Sequence, residues 1–246
     1  MKADAKNPVR ELVTKKFEEF IILEELSIEK VAVVGGTQKD PEVNSILLLF
    51  PEAKFHYFNI SNDFSDENFH YLDLNEELDS KLNNLNFDLV LSSQVIEHIW
   101  NHGNYFKVLA HLCSPSGIIG VNCPKSNMVH GSPEYFSAGF TARYLAKNLE
   151  VYGCEILLES ELGNRRYYLG IHLGRYWQTL GENRHPLWEY SIKPGTILGN
   201  IRKFLRDLPV RILLTFVKAV DSPNADYATE AFVAARLRTQ APKGKL

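Results

Sequence analysis

The spacing of apolar residues predicts a chain that alternates between helices and short buried strands. Residues 8–26 place apolar side chains at helical intervals between charged ones, which is typical of an amphipathic helix. Residues 31–34 form an apolar run, Val-Ala-Val-Val, that ends at Gly35 and predicts a strand buried on both faces of a sheet. We expect a helix over residues 41–50 to follow it.

The same unit of strand and helix recurs along the chain. Further strands are expected at residues 54–59, 69–72, 87–92, 118–122, 155–159 and 231–237, helices at 94–113 and 141–149, and a turn at 114–117. Alternation at this interval predicts the α/β class. We expect a doubly wound, Rossmann-like, seven-stranded and mostly parallel sheet with helices on both faces and right-handed crossovers.

The second half of the chain has a weaker pattern. Residues 163–194 are rich in aromatic and polar side chains without a clear period, and residues 199–220 are helical, amphipathic and basic on the polar face. We interpret about 163–220 as a cap or insertion on a single domain that spans 1–246. The basic helix could rest on an anionic membrane surface, but we favour an ordinary solvated face.

Composition and charge narrow the partners. The 246 residues are 45% hydrophobic, which is enough for one sizeable core. The formal net charge is -3 and the pI is about 6.3, so no overall positive field attracts nucleic acid. The first ten residues are charged and polar, and no apolar run approaches the ~18 residues of a membrane span. We therefore expect a cytoplasmic protein with no nucleic-acid partner and no membrane contact.

The cysteines do not indicate a metal or redox site. Cys113, Cys123 and Cys154 lack the paired short spacing of zinc and disulfide motifs. We expect buried free thiols in a reducing compartment.

One block of sequence resembles a known family. Residues 87–99, Phe-Asp-Leu-Val-Leu-Ser-Ser-Gln-Val-Ile-Glu-His-Ile, are similar to the fourth strand and following helix of the class I S-adenosylmethionine-dependent methyltransferases of the small-molecule type. The spacing from this block to the turn at 114–117 and to the strand that ends at Pro124 is also similar. The resemblance covers about residues 30–124, with weaker similarity at 140–159 and in the last strand.

This resemblance implies S-adenosyl-L-methionine as the cofactor. In a doubly wound sheet a ligand lies across the carboxyl ends of the strands, where the strand order reverses. Small residues after the first strand would let the backbone approach the methionine part, while Asn59 stands at the position for the ribose hydroxyls and Asp73 at the position for the adenine. The expected cofactor-binding residues are Gly35, Gly36, Asn59, Asp73, Leu74, Ser92 and Ser93.

The first loop departs from the family's pattern. Val33 stands where the family has an acid, and Thr37 and Lys39 stand where further glycines are expected. Asn59 replaces the ribose acid with a neutral amide, which loses the charge-assisted part of the hydrogen bond. We therefore expect a lowered affinity for the cofactor.

Two cofactor candidates also have plain structural interpretations. Gly35 and Gly36 could form an ordinary turn from strand to helix. Asp73 could cap a helix, with Glu76 three residues later completing a capping box.

The candidate catalytic residues follow the fourth strand. They are His98, His130 and Glu97, with His130 in a later loop that we expect to face the other two. A general base accelerates transfer to a hydroxyl by roughly 10²–10⁴-fold. Alternatively, Glu97 and His98 only cap and orient the loop. Some methyltransferases with a Glu-x-x-Glu-His motif at this place bind a metal, but Gln94 replaces the first glutamate and weakens a hard-cation site, so we expect none.

Together these features lead to one main hypothesis. The chain is interpreted as an S-adenosylmethionine-dependent methyltransferase that O-methylates a small molecule or a saccharide substrate, with bacterial surface glycan biosynthesis as the candidate pathway. The saccharide part depends on the arginines and aromatic rings of 163–188, which suit sugars and anions but could equally be the core of a cap. The alternative is a non-catalytic binding or scaffold protein with a degenerate cofactor loop. A nicotinamide dehydrogenase is disfavoured because no G-x-G-x-x-G follows Val34.

Overall fold

The computed structural model of the protein describes residues 8–60, 68–77, 82, 85–126, 135–163, 201, 208 and 228–238. In chain order the elements are α1 (Pro8–Leu23), β1 (Lys30–Val34), α2 (Pro41–Leu49), β2 (Lys54–Asn59), β3 (Phe69–Tyr71), β4 (Phe87–Ser93), a short 3-10 helix (Ile96–His98), α3 (His102–Leu112), β5 (Cys113–Pro124), α4 (Ala142–Val151), β6 (Cys154–Leu162) and β7 (Glu230–Leu237).

The strands form one seven-stranded sheet in the order β3-β2-β1-β4-β5-β7-β6. Neighbouring strands are parallel from β3 to β5, and β7 lies antiparallel between β5 and β6. The chain moves outward from β1 to β3 and then returns to start β4 on the other side of β1. The strand order therefore reverses between β1 and β4, and the predicted doubly wound sheet is confirmed.

Helices cover both faces of this sheet, as predicted. Alternate residues of the central strands belong to two separate cores, because successive side chains of a strand point to opposite faces. The core on one face contains α3 and α4 and the side chains of Val34, Val90 and Val121. The core on the other face contains α1 and α2 and the side chains of Val33 and Leu91. We call these the α3 face and the α1 face.

The predicted helix over residues 94–113 was wrong in its first part. The backbone of Gln94 is left-handed, with φ of 57°, so a right-handed helix cannot continue from β4. Only Ile96–His98 follows as one 3-10 turn, and α3 begins after Asn101, whose side chain accepts a hydrogen bond from the backbone nitrogen of Asn104 at 3.2 Å. That bond is a helix N-cap.

Other predicted boundaries moved by a few residues. Helix α1 ends at Leu23 instead of residue 26, because the chain turns at Glu25 with φ of 50°. The turn at 114–117 is an irregular part of β5, where the pairing with β4 shifts in register. The cysteines Cys113, Cys123 and Cys154 are buried and free, as expected.

Two predictions about the second half lie outside the described residues. Nearly all of the proposed cap at about 163–220 and the basic helix at 199–220 belong to this part of the chain. In the described part, no helix combines the length and apolarity needed to cross a membrane.

Candidate active site

Several predicted site residues lie at the carboxyl ends of the parallel strands. We call this side of the sheet the ligand edge. The strand register places Val34 beside Phe58 on one side and beside Ser92 on the other. Asn59 and Ser93, one residue further along their strands, therefore flank the loop that leaves β1. This row spans the point where the strand order reverses, which is where doubly wound proteins bind ligands.

The loop after β1 is a tight turn closed by its own side chains. Gly35 has φ of +73° and donates its backbone N–H to the carbonyl of Phe58 at 2.7 Å. A Cβ at Gly35 would lie 2.6 Å from Cγ2 of Val95, and one at Gly36 would lie 2.9 Å from Cγ1 of Val33. Both glycines are therefore required by backbone conformation or by packing within the chain. This supports the interpretation as a strand-to-helix turn, and it leaves their contact with a cofactor a prediction.

Two of the predicted polar contacts to the cofactor are engaged locally. The side-chain oxygen of Asn59 accepts a hydrogen bond from the backbone nitrogen of Ile60 at 2.8 Å. Oδ1 of Asp73 accepts one from the backbone nitrogen of Asn75 at 2.8 Å. The Asp73 contact forms a local turn of the chain. Both residues are half-buried at the ligand edge, so their roles in binding stay predictions.

Leu74, Ser92 and Ser93 differ in what they present to the edge. Leu74 packs in the core of the α3 face. The hydroxyl of Ser92 is buried and donates to the carbonyl of Val34 at 3.2 Å. The hydroxyl of Ser93 instead accepts a hydrogen bond from Nη2 of Arg10 at 3.2 Å. Ser93 is therefore the member of this group that belongs to a polar network at the edge.

The loop after β4 holds Glu97 and His98 in different environments. The side chain of Glu97 is fully buried, and neither carboxylate oxygen has a hydrogen-bond partner among the residues that the structure describes. His98 is 29% exposed, and its Nε2 lies 4.0 Å from Oε1 of Glu97. The backbone carbonyl of Glu97 accepts hydrogen bonds from the nitrogens of Phe136 at 2.9 Å and Ser137 at 3.3 Å. The chain after the undescribed segment that contains His130 therefore returns to this loop.

The environment of Glu97 does not support a capping role for its carboxylate. Burial raises the pKa of this carboxyl, and the backbone N–H of Glu97 itself, His98 and Arg10 partly oppose the rise. A buried carboxyl without a donor is costly to a fold. Such groups are enriched at functional sites because the fold has no structural use for them.

Arg10 connects α1 to the polar edge. Its Nη2 lies 2.9 Å from Oε2 of Glu42, whose side chain is 2% exposed. The same guanidinium lies 3.9 Å from Oδ1 of Asp40 and reaches Ser93. Oδ2 of Asp40 accepts the backbone N–H of Thr37 at 2.6 Å and so holds the first loop in place.

Glu230 brings a further carboxyl to the same edge from β7. Its side chain is 5% exposed and accepts a hydrogen bond at Oε2 from Nε2 of Gln94 at 2.8 Å. Burial raises the pKa of Glu230 to about 7. The contact also fixes the side chain of Gln94, the residue with the left-handed backbone.

Sequence reasoning missed Arg10, Glu42 and Glu230. In parallel strands the residues at this edge are the last ones of each strand. Strand β7 is antiparallel, so it brings its first residue, Glu230, to the same edge. The available signal was a glutamate immediately before an apolar run. Arg10 and Glu42 read as ordinary charged positions of amphipathic helices.

Metal binding at this edge was considered and disfavoured from the sequence. Across the described ranges, no three or more His, Cys, Asp or Glu side chains are grouped to hold a metal ion. Gln94, at the position of the motif's first glutamate, turns to Glu230. His130 lies outside the described residues.

Comparison with known proteins identifies the fold. No family model and no curated protein matches the chain. Similar solved structures include the (4+2)-cyclase SpnF, with a TM-score of 0.53, 14% identity, and coverage of 97% of this chain and 86% of that chain. Coclaurine N-methyltransferase with N-methylheliamine and S-adenosylhomocysteine has a TM-score of 0.53 at 10% identity, covering 96% and 75%. An O-methyltransferase of a Brevibacillus brevis trans-AT polyketide synthase, in complex with S-adenosylhomocysteine, has a TM-score of 0.51 at 14% identity, covering 92% and 72%.

These similarities are structural. The chain has the fold of the class I S-adenosylmethionine-dependent methyltransferases, as its sequence resemblance implied. By their names, these three similar proteins are a cyclase, an N-methyltransferase and an O-methyltransferase. At this level of identity the fold does not fix the reaction, which must be argued from the site.

Proposed function

We propose that the protein is an S-adenosylmethionine-dependent methyltransferase that acts on a small molecule. The observation that carries this proposal is the buried carboxyl of Glu97, which has no partner among the described residues and lies beside the partly exposed His98 at the edge where the strand order reverses. A fold retains such a group when a ligand or a reaction uses it.

The polar edge fits the cofactor in its chemistry. S-Adenosylmethionine is a cation at sulfur, and this edge carries the buried carboxyls of Glu42, Glu97 and Glu230. Asn59 and Asp73 lie on the β2 and β3 side, where the resemblance implies the adenosine half. The cofactor, when bound, supplies the methyl group on a positively charged sulfur. Holding the acceptor in line with that methyl group could contribute up to roughly 7–11 kcal/mol.

His98 is assigned the role of general base. Its side chain is exposed enough to reach an acceptor, whereas Glu97 is fully buried. In this arrangement His98 takes the proton of the acceptor hydroxyl, and Glu97 orients the ring and stabilises the imidazolium from behind. Glu97 is thus a positioning residue. His130, from the segment before Phe136, is proposed to complete the acceptor side.

The acceptor class is the finer part of the proposal. We propose O-methylation of a hydroxyl on a small molecule, with a saccharide of a surface glycan as the specific candidate. Its support is the sequence of residues 163–188, where arginines and aromatic rings alternate in a way that suits sugars and anionic groups.

Two observations favour the second candidate, a binding or scaffold protein. Val95 fills the space above Gly35, and the oxygen of Asn59 is bonded to its own chain neighbour. Both features reduce what the first loop and β2 offer to a cofactor. A protein with these features could keep the fold and bind a partner instead.

Binding of the cofactor separates the two candidates. Isothermal titration of the protein with S-adenosylmethionine and with S-adenosylhomocysteine is expected to show saturable binding of both. Asp73→Ala should weaken both by about 10-fold or more, since a hydrogen bond to a charged group contributes about 1.5–3 kcal/mol.

Glu76→Ala is the matched control. Glu76 is an exposed carboxylate in the same turn, and its removal should leave both affinities unchanged. If the folded wild-type protein binds neither compound, the methyltransferase proposal is wrong and the scaffold candidate stands.

A further inference from the structure

Three buried carboxyls lie together at the ligand edge, and we call them the carboxyl cluster. They are Glu42 from α2, Glu97 from the loop after β4 and Glu230 from β7, with exposed fractions of 2%, 0% and 5%. Arg10 is the guanidinium that faces them, and it is bonded to Glu42. The negative charges of Glu97 and Glu42 oppose ionisation of Glu230, while Arg10 favours it.

Charged and titratable groups from several elements surround Glu230. The charged and titratable groups that act on it or that it acts on are Arg10, Glu42, Glu97 and Cys123, and Gln94 supplies its hydrogen bond. On the β6 side, Glu161 accepts hydrogen bonds from Nζ of Lys125 at 2.6 Å and from the nitrogen of Ala142 at 3.2 Å. The charge of Glu161 is therefore paired, and among the described residues the carboxyl cluster holds more carboxyls than Arg10 can balance when all of them are ionised.

A second observation indicates that this interior is built for a ligand. Asn122 is 4% exposed, and its Nδ2 has no hydrogen-bond partner within the described part of the chain. It pairs in register with Ser93 of β4 and Phe232 of β7. Since Phe232 belongs to the core of the α1 face, Glu230 two residues earlier points to that face as well. The donor of Asn122 and the oxygens of Glu97 are thus buried polar groups that no described residue satisfies.

The position of the cluster selects one half of the cofactor. The adenosine half is assigned to β2 and β3, so the methionine half extends across the β1 loop toward β4 and β5, where the carboxyl cluster lies. The cofactor carries a sulfonium there, and the demethylated product carries a neutral thioether. Both compounds have the same amino and carboxyl groups, so the sulfur is where their charge differs.

We propose that the carboxyl cluster distinguishes the charged sulfonium from the neutral thioether. It makes the site bind S-adenosylmethionine more tightly than S-adenosylhomocysteine, and ionisation of Glu230 sets the size of this difference in affinity. This inference depends on the proposed function. The cluster does not have to touch the sulfur, because a charge acts over several ångströms through a water-poor interior. Such a preference would favour exchange of the product for fresh cofactor after each turnover.

The proposal predicts a pH dependence with a defined sign. Glu230 has a pKa of about 7, so it is mostly neutral at pH 6 and mostly ionised at pH 8. The ratio of the Kd of S-adenosylhomocysteine to that of S-adenosylmethionine should therefore rise with pH, by about tenfold between pH 6 and pH 8, since a coupling of one pKa unit is a tenfold change in affinity. The sulfonium also lowers the pKa of the cofactor's amino group, and this contribution to the ratio is the same in the wild type and in Glu230→Gln.

Titration calorimetry of the full chain with the two compounds at pH 6, 7 and 8 tests the proposal. In Glu230→Gln, which keeps the shape and one acceptor oxygen, the ratio should rise by much less than in the wild type across the range. Glu159→Gln is the control: Glu159 is a more exposed carboxylate on β6 that pairs with Arg143 at 3.3 Å, and its variant should behave as the wild type.

A variant-free measurement covers the case in which Glu230→Gln does not fold. Near pH 7, titrations of the wild type in two buffers of different ionisation enthalpy should show that S-adenosylmethionine binding releases more protons than S-adenosylhomocysteine binding. Equal proton release, a ratio that does not change with pH, or a ratio that changes equally in Glu230→Gln would each overturn the inference while the proposed function stands. Failure of both compounds to bind at any pH would overturn the proposed function, and the inference with it.

Discussion

The two ends of β4 carry carboxylates in opposite situations. At the start of the strand, Oδ2 of Asp88 accepts hydrogen bonds from the backbone nitrogens of Glu29 and Lys30, both at 2.9 Å. Beyond its other end, Glu97 is fully buried, and no residue in the described ranges donates a hydrogen bond to either of its oxygens. One carboxylate is used by the fold to join β1 to β4, and the other is not used by the fold. The comparison shows that the carboxylate at the start of β4 contributes to the stability of the fold, whereas the carboxyl beyond its end is available for chemistry.

Replacing each carboxylate should have opposite effects, and the largest expected effect is on activity. Glu97→Gln should lower the rate of methyl transfer by roughly 10²-fold, because His98 loses the charge that stabilises its protonated form. The free energy of unfolding should stay the same or rise, since a buried unpaired carboxyl is removed. The measurements are a single-turnover methyl-transfer assay with a cognate acceptor and a denaturant titration.

Asp88→Ala is the matched change at the other edge. It should lower the free energy of unfolding by about 1–2 kcal/mol, because two backbone N–H groups lose their acceptor. The rate per folded molecule should stay at the wild-type value. Loss of activity in Asp88→Ala without loss of stability would contradict the division between the edges.

The pH dependence of the free energy of unfolding extends the comparison to Glu230, a third carboxyl at the ligand edge. Its pKa of about 7 lies above the usual value of 4.5, so the folded state holds this proton more tightly than the unfolded state. The stabilisation from the neutral carboxyl is full below about pH 4.5 and is lost as the pH rises through 7. Glu230→Gln should therefore be more stable than the wild type at pH 8 by roughly 1–3 kcal/mol, with the difference shrinking toward pH 5.

The wild type alone does not isolate this effect, because His70 acts in the opposite direction. Burial lowers the pKa of His70 below 6.5, so its contribution to stability is present at neutral pH and is lost as the pH falls. The informative quantity is the difference between wild type and Glu230→Gln, measured by denaturant titration at each pH. A difference that does not change with pH would show that Glu230 is ionised alike in both states.

The last comparison concerns the first loop. Gly35→Ala adds a Cβ 2.6 Å from Val95 at a φ of +73°, whereas Gly153→Ala meets no atom within 4 Å at a φ of +86°. Both variants pay the left-handed backbone penalty of about 1–2 kcal/mol, and Gly35→Ala adds a clash of about 1–3 kcal/mol. Thermal unfolding of the two variants measures the difference. Equal shifts in Tm would mean that Val95 moves freely and leaves the loop open to a ligand.

Much of the fold was predictable from local patterns. The run at residues 31–34 was placed correctly because a strand buried on both faces is uniformly apolar and short. The strand at 54–59, in which apolar and polar residues are mixed, was also placed correctly. The helix after β4 was not, because nothing local marks Gln94 as left-handed. Its conformation is accompanied by a hydrogen bond to Glu230, 136 residues further along the chain, and a local pattern cannot contain such a contact.

The candidate site divides in the same way. Glu97 and His98 were identified because they follow a recognisable strand, and the structure adds that one is buried and the other half-exposed. Arg10 and Glu230 were missed, since a charged residue near the end of an element looks the same whether it meets water or another charge. Their pairing depends on which strand lies next to which.

By itself, the sequence determined the order and type of the elements, the two-faced burial of the sheet and the resemblance carried by the block at 87–99. These properties depend on residues close together in the chain. Only the tertiary structure decided that β7 runs antiparallel, which brings Glu230 to the ligand edge beside Gln94 and near Arg10. The reason is physical. Burial and charge coupling depend on distance in space, and elements far apart in the chain become neighbours only when the strands assemble into the sheet.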